Sequence, residues 1–196
     1  MKIYLASGNR HKRDELMRIF YPHTIVITSD EGIAFDPEET GVTYFENALI
    51  KARSLYEITG EAALADDSGI SVDALEGRPG IHSARFGSEN GTKLTDLQRN
   101  NLLLSHMQGK TDRTARFVCN MVLYLGPERF ISAQETMEGT LMESAQGTGG
   151  FGYDPVLYIP EAGCTVAELS PETKDALSHR GKAARKIRAM MDCLSS

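Results

Sequence analysis

Ile3-Tyr4-Leu5-Ala6-Ser7-Gly8-Asn9-Arg10-His11-Lys12 is the stretch on which the fold turns. Four apolar residues in a row read as a strand over residues 3–6. Ser7, Gly8 and Asn9 have the composition of a turn. The charged and apolar alternation that follows predicts a helix over residues 12–20, and Thr24-Ile25-Val26-Ile27-Thr28 predicts a second strand. A chain that begins strand, helix, strand is on its way to an α/β arrangement.

Working outward, Asp36-Pro37-Glu38-Glu39-Thr40-Gly41 is a loop by composition. Thr43 and Glu46 then have capping-box spacing, and Gly60 supplies the stop of a second helix. A short strand over residues 62–65 is expected to end at Asp66-Asp67-Ser68-Gly69, with a loop through Pro79-Gly80 and a helix over residues 94–107 beyond it. Residues 115–125 and 130–141 are rich in strand formers and flank Gly126-Pro127-Glu128-Arg129, a hairpin signature. A glycine-rich segment over residues 147–154 precedes a strand over residues 155–159. Ser170-Pro171 opens a helix, and another spans residues 178–194. Alternating strands and helices followed by a hairpin predict an α/β fold with a mixed sheet.

The bulk properties narrow the function classes. With 196 residues the chain suits one domain, with room for two lobes and a sizeable core. It contains no apolar run of membrane-spanning length, and its first residues read as a strand rather than a secretory signal. Cys119, Cys164 and Cys193 are odd in number and lack metal-ligand spacing, so reduced thiols in the cytoplasm are expected. The net charge of −6 argues against a nucleic-acid partner, whereas a small anionic substrate needs only a local group of cations.

Several motifs carry chemistry, each with a plainer alternative. The turn Ser7-Gly8-Asn9-Arg10-His11-Lys12 sets backbone N–H groups, hydroxyl and amide donors and the Lys12 ammonium at a helix start, where anions are favoured. It lacks the Walker A pattern, and an exposed, charged first turn would also account for it. Lys51 stands five residues after Glu46, off the spacing of an intrahelical ion pair. Asp66-Asp67-Ser68-Gly69 places two hard oxygen ligands after an apolar strand, a setting suited to Mg²⁺ and phosphate, while an Asx-turn would explain one aspartate. In residues 147–154, Phe151 or Tyr153 is available to stack on a base or to anchor the loop into the core. His179 and Arg180 precede Gly181 at a helix start, where glycine permits a break or a close approach.

Taken together, SGNRHKRDE (residues 7–15), EETGVTYFENALIKA (38–52), ADDSGISVDALEGRPGIHSARF (65–86), GTGGFGYDP (147–155) and AEL, Lys174 and SHRGKA toward the end resemble one family, in its order. It is the inosine triphosphate pyrophosphatase, or Ham1-like, family. The resemblance spans the chain from its first strand to its last helix. It implies an elongated α/β protein with a central mixed sheet, two lobes with the active site in a cleft between them, and a homodimer. The implied reaction splits ITP, dITP or XTP into the monophosphate and pyrophosphate with Mg²⁺ as cofactor. By the same resemblance Ser7, Gly8, Asn9, Arg10, His11 and Lys12 hold phosphates and Lys51 adds a cation. Glu39 and Asp67 take the metal, Asp67 doubles as base for the attacking water, and Ser68 contacts substrate. Phe151, Gly152, Tyr153 and Asp154 line the nucleoside site, and Lys174, His179 and Arg180 complete the base and phosphate contacts.

The residues agree with that chemistry. Phosphoryl transfer needs positioning, charge stabilisation and an aligned water. Hypoxanthine and xanthine offer an acceptor at position 6 where adenine offers a donor, so Arg180 or nearby backbone N–H groups would favour the former. A Maf-like pyrophosphatase of other specificity, or a nucleotide-binding protein without turnover, are the competing functions. SHRGKA and GGFGYDP speak against the first, and the Asp66-Asp67-Ser68-Gly69 motif against the second.

Overall fold

The computed structural model describes residues 1–88 and 92–194. Its strands are β1 (Lys2–Leu5), β2 (Thr24–Ile27), β3 (Ala63–Val72), β4 (Thr114–Gly126), β5 (Arg129–Leu141), β6 (Leu157–Ile159) and β7 (Cys164–Thr165). Its α-helices are α1 (Arg10–Phe20), α2 (Tyr44–Thr59), α3 (Asp96–His106), α4 (Pro171–Leu177) and α5 (His179–Leu194). Among the described residues the strands form one open mixed sheet in the order β2-β1-β3-β4-β5-β6-β7. β1 runs parallel to β2 and β3, whereas β6 is antiparallel to both β5 and β7. The expected α/β class with a mixed sheet is therefore what the chain adopts.

The chain divides into two compact units, the first of residues 1–67, 119–135 and 175–196, the second of residues 68–118 and 136–174. In the first unit the strand alternation sorts the core into two layers. Ile3, Leu5 and Leu64 pack with Leu16 and Phe20 of α1 and with Ala183 and Ile187 of α5. Tyr4, Ala6, Ala63 and Ala65 pack with Ala48, Ala52 and Leu55 of α2. Successive side chains of a strand point to opposite faces, which is why neighbours in β1 and β3 belong to different layers. Local chemistry starts α2 where expected and α1 two residues earlier than expected, at Arg10. Asn9 caps α1 by accepting from the His11 N–H at 2.9 Å. Thr43 and Glu46 close the capping box of α2, and Gly60, at φ 68°, ends it.

One expectation needs correction. The strand expected to stop at residue 65 continues through Asp66, Asp67, Ser68 and Gly69 to Val72. The aspartates do not emerge at a strand end, because each finds a cation on its own side of the sheet. A strand need not break at a charged pair whose members are separately neutralised. Beyond them Ile70 and Val72 are fully buried, so the apolar pattern resumes.

Candidate active site

In the first unit β3 delivers its two aspartates to opposite faces. Asp66 lies toward α1 and α5: Lys12 Nζ donates to both its carboxylate oxygens at 2.9 Å, and Arg180 Nε donates to Oδ2 at 3.1 Å. Arg180 Nη1 in turn donates to Glu15 Oε2 at 3.0 Å. Asp67 lies toward α2, where Lys51 Nζ donates to Oδ1 at 3.0 Å and Asn47 Nδ2 to Oδ2 at 3.4 Å. Lys51 also reaches Glu39 Oε1 at 2.9 Å, so one ammonium joins the loop carboxylate to the strand carboxylate. Asn47 and Lys51 stand one helical turn apart and share a face. Its own off-register partner, Glu46, is occupied at the start of α2, accepting from the Val42 N–H at 2.7 Å.

Charge is concentrated here and removed from water. Asp66 is 2% exposed, Asp67 7%, Lys51 9% and Arg180 3%. Burial pushes the Asp67 carboxyl up, against the pull of Lys51, and Glu39 and Asp66 add to the rise. Lys51 is held above the usual lysine value: burial opposes its charge, but Asp67, Asp66 and Glu39 together outweigh it. Lys12 goes the other way, lowered by burial with Arg180 and Lys51 as like charges nearby, despite Asp66. Among the described residues, four carboxylates (Glu15, Glu39, Asp66, Asp67) thus face three cations (Lys12, Lys51, Arg180). An anionic ligand at this net negative cluster calls for a further positive charge. Glu39 and Asp67 already converge on one cationic atom, a donor set that fits Mg²⁺, which commonly takes one or two carboxylates and keeps waters. No group of three or more His, Cys, Asp or Glu side chains forms a metal cage among the described residues.

The turn before α1 is built as the sequence suggested. Ser7 Oγ accepts from the Asn9 N–H at 3.2 Å, and Gly8, Arg10 and His11 are exposed. At the start of α5, His179 is buried and Ser178 Oγ accepts from the Gly181 N–H at 3.0 Å. A Cβ on Gly181 would collide with the Asp175 carbonyl, so the close approach expected of this glycine is real. Arg180 Nε and Nη1 donate to Asp66 and Glu15 inside the protein, which makes it a strut of the carboxylate cluster.

The second unit holds Ser68 and the glycine-rich loop. Asp154 Oδ2 accepts from the Phe151 N–H at 2.9 Å and from Lys174 Nζ at 2.8 Å. The same ammonium lies 4.6 Å from the centre of the Phe151 ring, a cation–π distance. Phe151 is partly exposed, whereas Tyr153 is 5% exposed and its hydroxyl donates to the Ser83 carbonyl at 2.9 Å. Tyr153 anchors the loop through this hydrogen bond, and Phe151 is the more exposed of the two rings.

Residues the motif reading passed over complete both groups. Asn47 is a buried polar side chain one turn from Lys51, which was a usable signal, and Glu15, whose role the sequence leaves open, is buried one turn from Lys12. Asp96 and Asn100 of α3 bond to Gly152, and nothing in the local sequence announces that.

The Ham1 family model matches residues 3–190. The chain belongs to the Ham1 family. Membership accounts for the order of the five motifs and for a sheet that they span. Among relatives, the dITP/XTP pyrophosphatase of Treponema denticola is 54% identical over 187 residues, 95% of this chain and 96% of that protein. That of Thermus thermophilus is 45% identical over 193 residues, covering 95% and 90%. Among solved structures, the Ham1 protein of Staphylococcus aureus superposes with a TM-score of 0.87 at 36% identity, covering 99% of this chain and 100% of that one. A HAM1 protein from Coxiella burnetii gives 0.88 at 35% identity and 98% coverage of each.

Proposed function

We propose that this protein hydrolyses dITP, XTP and ITP to the nucleoside monophosphate and pyrophosphate, and so clears aberrant purine nucleotides. Relatives at up to 54% identity over nearly the whole chain are dITP/XTP pyrophosphatases. The observation that carries the chemistry is Asp67, a buried carboxylate with a raised pKa, held by Lys51 and Asn47 beside Glu39. Asp67 accepts a proton from water as the water oxygen bonds to phosphorus. The α–β bridging bond then breaks and pyrophosphate leaves with the electron pair. A raised carboxyl is the better base for this step. Lys12 and Lys51 offset phosphate charge and the turn through Ser7, Gly8, Asn9, Arg10 and His11 supplies donors. When bound at Glu39 and Asp67, Mg²⁺ supplies positive charge to the phosphates. Ser68, Phe151, Gly152, Asp154 and Lys174 form the nucleoside side, with the ring of Phe151 for stacking. His179 lies at the start of α5, where donors would suit a 6-oxo purine.

A cytoplasmic homodimer belongs to the same proposal. The compartment is supported by Cys119, Cys164 and Cys193, none of which is in a disulfide, and the homodimer by the family resemblance. The test is incubation with dITP, XTP, ITP, GTP, ATP and CTP, with and without Mg²⁺, followed by ion-exchange resolution of products. Metal-dependent monophosphate and pyrophosphate from the first three, with little from ATP or CTP, is expected. Release of single phosphate would displace the cleaved bond. Preference for pyrimidine nucleotides would favour the Maf-like alternative, and binding without turnover the non-catalytic one.

A further inference from the structure

Gly152 is held by both of its backbone polar groups. Its N–H donates to Asp96 Oδ2 at 2.6 Å, and its carbonyl accepts from Asn100 Nδ2 at 3.1 Å. Asp96 and Asn100 stand one turn apart on α3, so one helix face grips one residue of the loop. Gly152 has φ 64°, in the left-handed region, and a glycine left to itself ranges widely over backbone conformations. Asn100 is 2% exposed, and its Oδ1 has no hydrogen-bond partner among the described residues. The whole of its polar contribution is therefore the donor that meets Gly152. Asp96 is steadied by Arg99, whose Nη1 donates to the Leu94 carbonyl at 2.6 Å and the Ala84 carbonyl at 3.2 Å.

What this grip controls is the pair of residues around it. Phe151 precedes Gly152, and Asp154, two residues on, ties the Phe151 N–H to Lys174. A rotation at Gly152 would move the Phe151 ring relative to Asp154 and Lys174. Residues 147–150 are exposed, and the Gly149 N–H donates to the Ala167 carbonyl at 3.2 Å.

We propose that Asp96 and Asn100 are positioning residues for purine recognition, acting through Gly152 to fix Phe151, Asp154 and Lys174. The inference rests on the proposed function, in which that loop meets the nucleoside. The plainer reading makes the clamp a contribution to stability alone, and the two differ in what they move. Loss of positioning on the base side raises KM for purine triphosphates and leaves inhibition by pyrophosphate, which has no base, unchanged.

The experiment compares wild type with Asn100→Asp, Asp96→Ala and Asp96→Asn. Asn100→Asp sets a carboxylate against the Gly152 carbonyl, and Asp96→Asn keeps an acceptor for the Gly152 N–H. Melting temperature, hydrogen exchange of the peptide spanning residues 147–156, KM and kcat for XTP and dITP, and the pyrophosphate inhibition constant are measured on each. Loss of one buried hydrogen bond corresponds to roughly a tenfold effect or more. Asn100→Asp and Asp96→Ala should accelerate exchange in that peptide and raise KM about tenfold. Their pyrophosphate inhibition should stay within about twofold of wild type, and Asp96→Asn, which keeps the acceptor for Gly152 but loses the Arg99 ion pair, should raise KM less than Asp96→Ala. Unchanged KM in an active, folded Asn100→Asp protein overturns the inference while leaving the proposed function intact, as does a parallel rise in the pyrophosphate constant. Should Asn100→Asp fail to fold, Asp96→Ala against Asp96→Asn carries the same decision. A wild-type protein that turns over neither nucleotide overturns the functional reading and this inference with it.

Discussion

Asp66 and Asp67 are adjacent in sequence and separate in role, because they leave β3 on opposite sides. Asp67→Asn is expected to lower turnover by about 10²-fold or more, since the residue proposed to accept the proton is gone. The same variant should bind nucleotide, which equilibrium dialysis would show. Asp66→Asn removes the counter-charge of the buried Arg180 and the partly buried Lys12, and breaking a buried pair of this kind costs about 3–5 kcal/mol. Its signature is a fall in melting temperature in the absence of any nucleotide. At Tyr153, replacement by Phe leaves the Ser83 carbonyl without its donor, at a cost of about 1–3 kcal/mol. Denaturant unfolding would measure it. Side chains such as Lys12, Lys51 and Asp67 were legible in the sequence as motif members. The strut role of Arg180 was not, since its partners Glu15 and Asp66 lie 165 and 114 positions away.

At the scale of elements, caps were the most readable features. Thr43→Ala should destabilise α2 by about 1 kcal/mol, read from the melting temperature, because the hydroxyl that accepts from the Glu46 N–H is lost. A second capping box, Thr165 with Glu168, gives a pH effect. The Thr165 backbone N–H holds the exposed Glu168 carboxylate below its ordinary pKa. A depressed folded-state value means that its contribution to stability is present above the unfolded-state pKa and lost as pH falls through the folded-state one. Glu168→Gln should therefore flatten the acid side of a plot of melting temperature against pH. The length of β3 was misread because charge looked like punctuation: Asp-Asp-Ser-Gly has turn composition, and only distant cations let it stay extended. β7, two residues long, has too little pattern to be seen.

For the whole molecule, charge sets a condition on function. A protein of net charge −6, with a cluster of four carboxylates facing three cations, is poorly disposed toward a triphosphate. Removal of divalent ions by a chelator should abolish turnover, and added Mg²⁺ should restore it. Pyrophosphate should raise the melting temperature far more with Mg²⁺ present than without, since a ligand that binds only the folded state stabilises it by mass action. The α/β class, the order of the helices and the hairpin were legible because periodicity, caps and glycine positions are local signals. The boundaries between the two units were not, because β3, β4 and β5 each pass from one to the other partway along their length, between residues 67 and 68, 118 and 119, and 135 and 136.

The opposed aspartates of β3 make the arrangement a matter of odd and even. Inserting or deleting one residue just ahead of Asp66 would exchange the faces, turning Asp67 toward the arginine of α5 and Ser68 toward the lysine of α2. No single substitution repairs such a slip, whereas a change of two residues preserves which side each carboxylate meets. In this strand the chain tolerates changes of letter far more readily than changes of count.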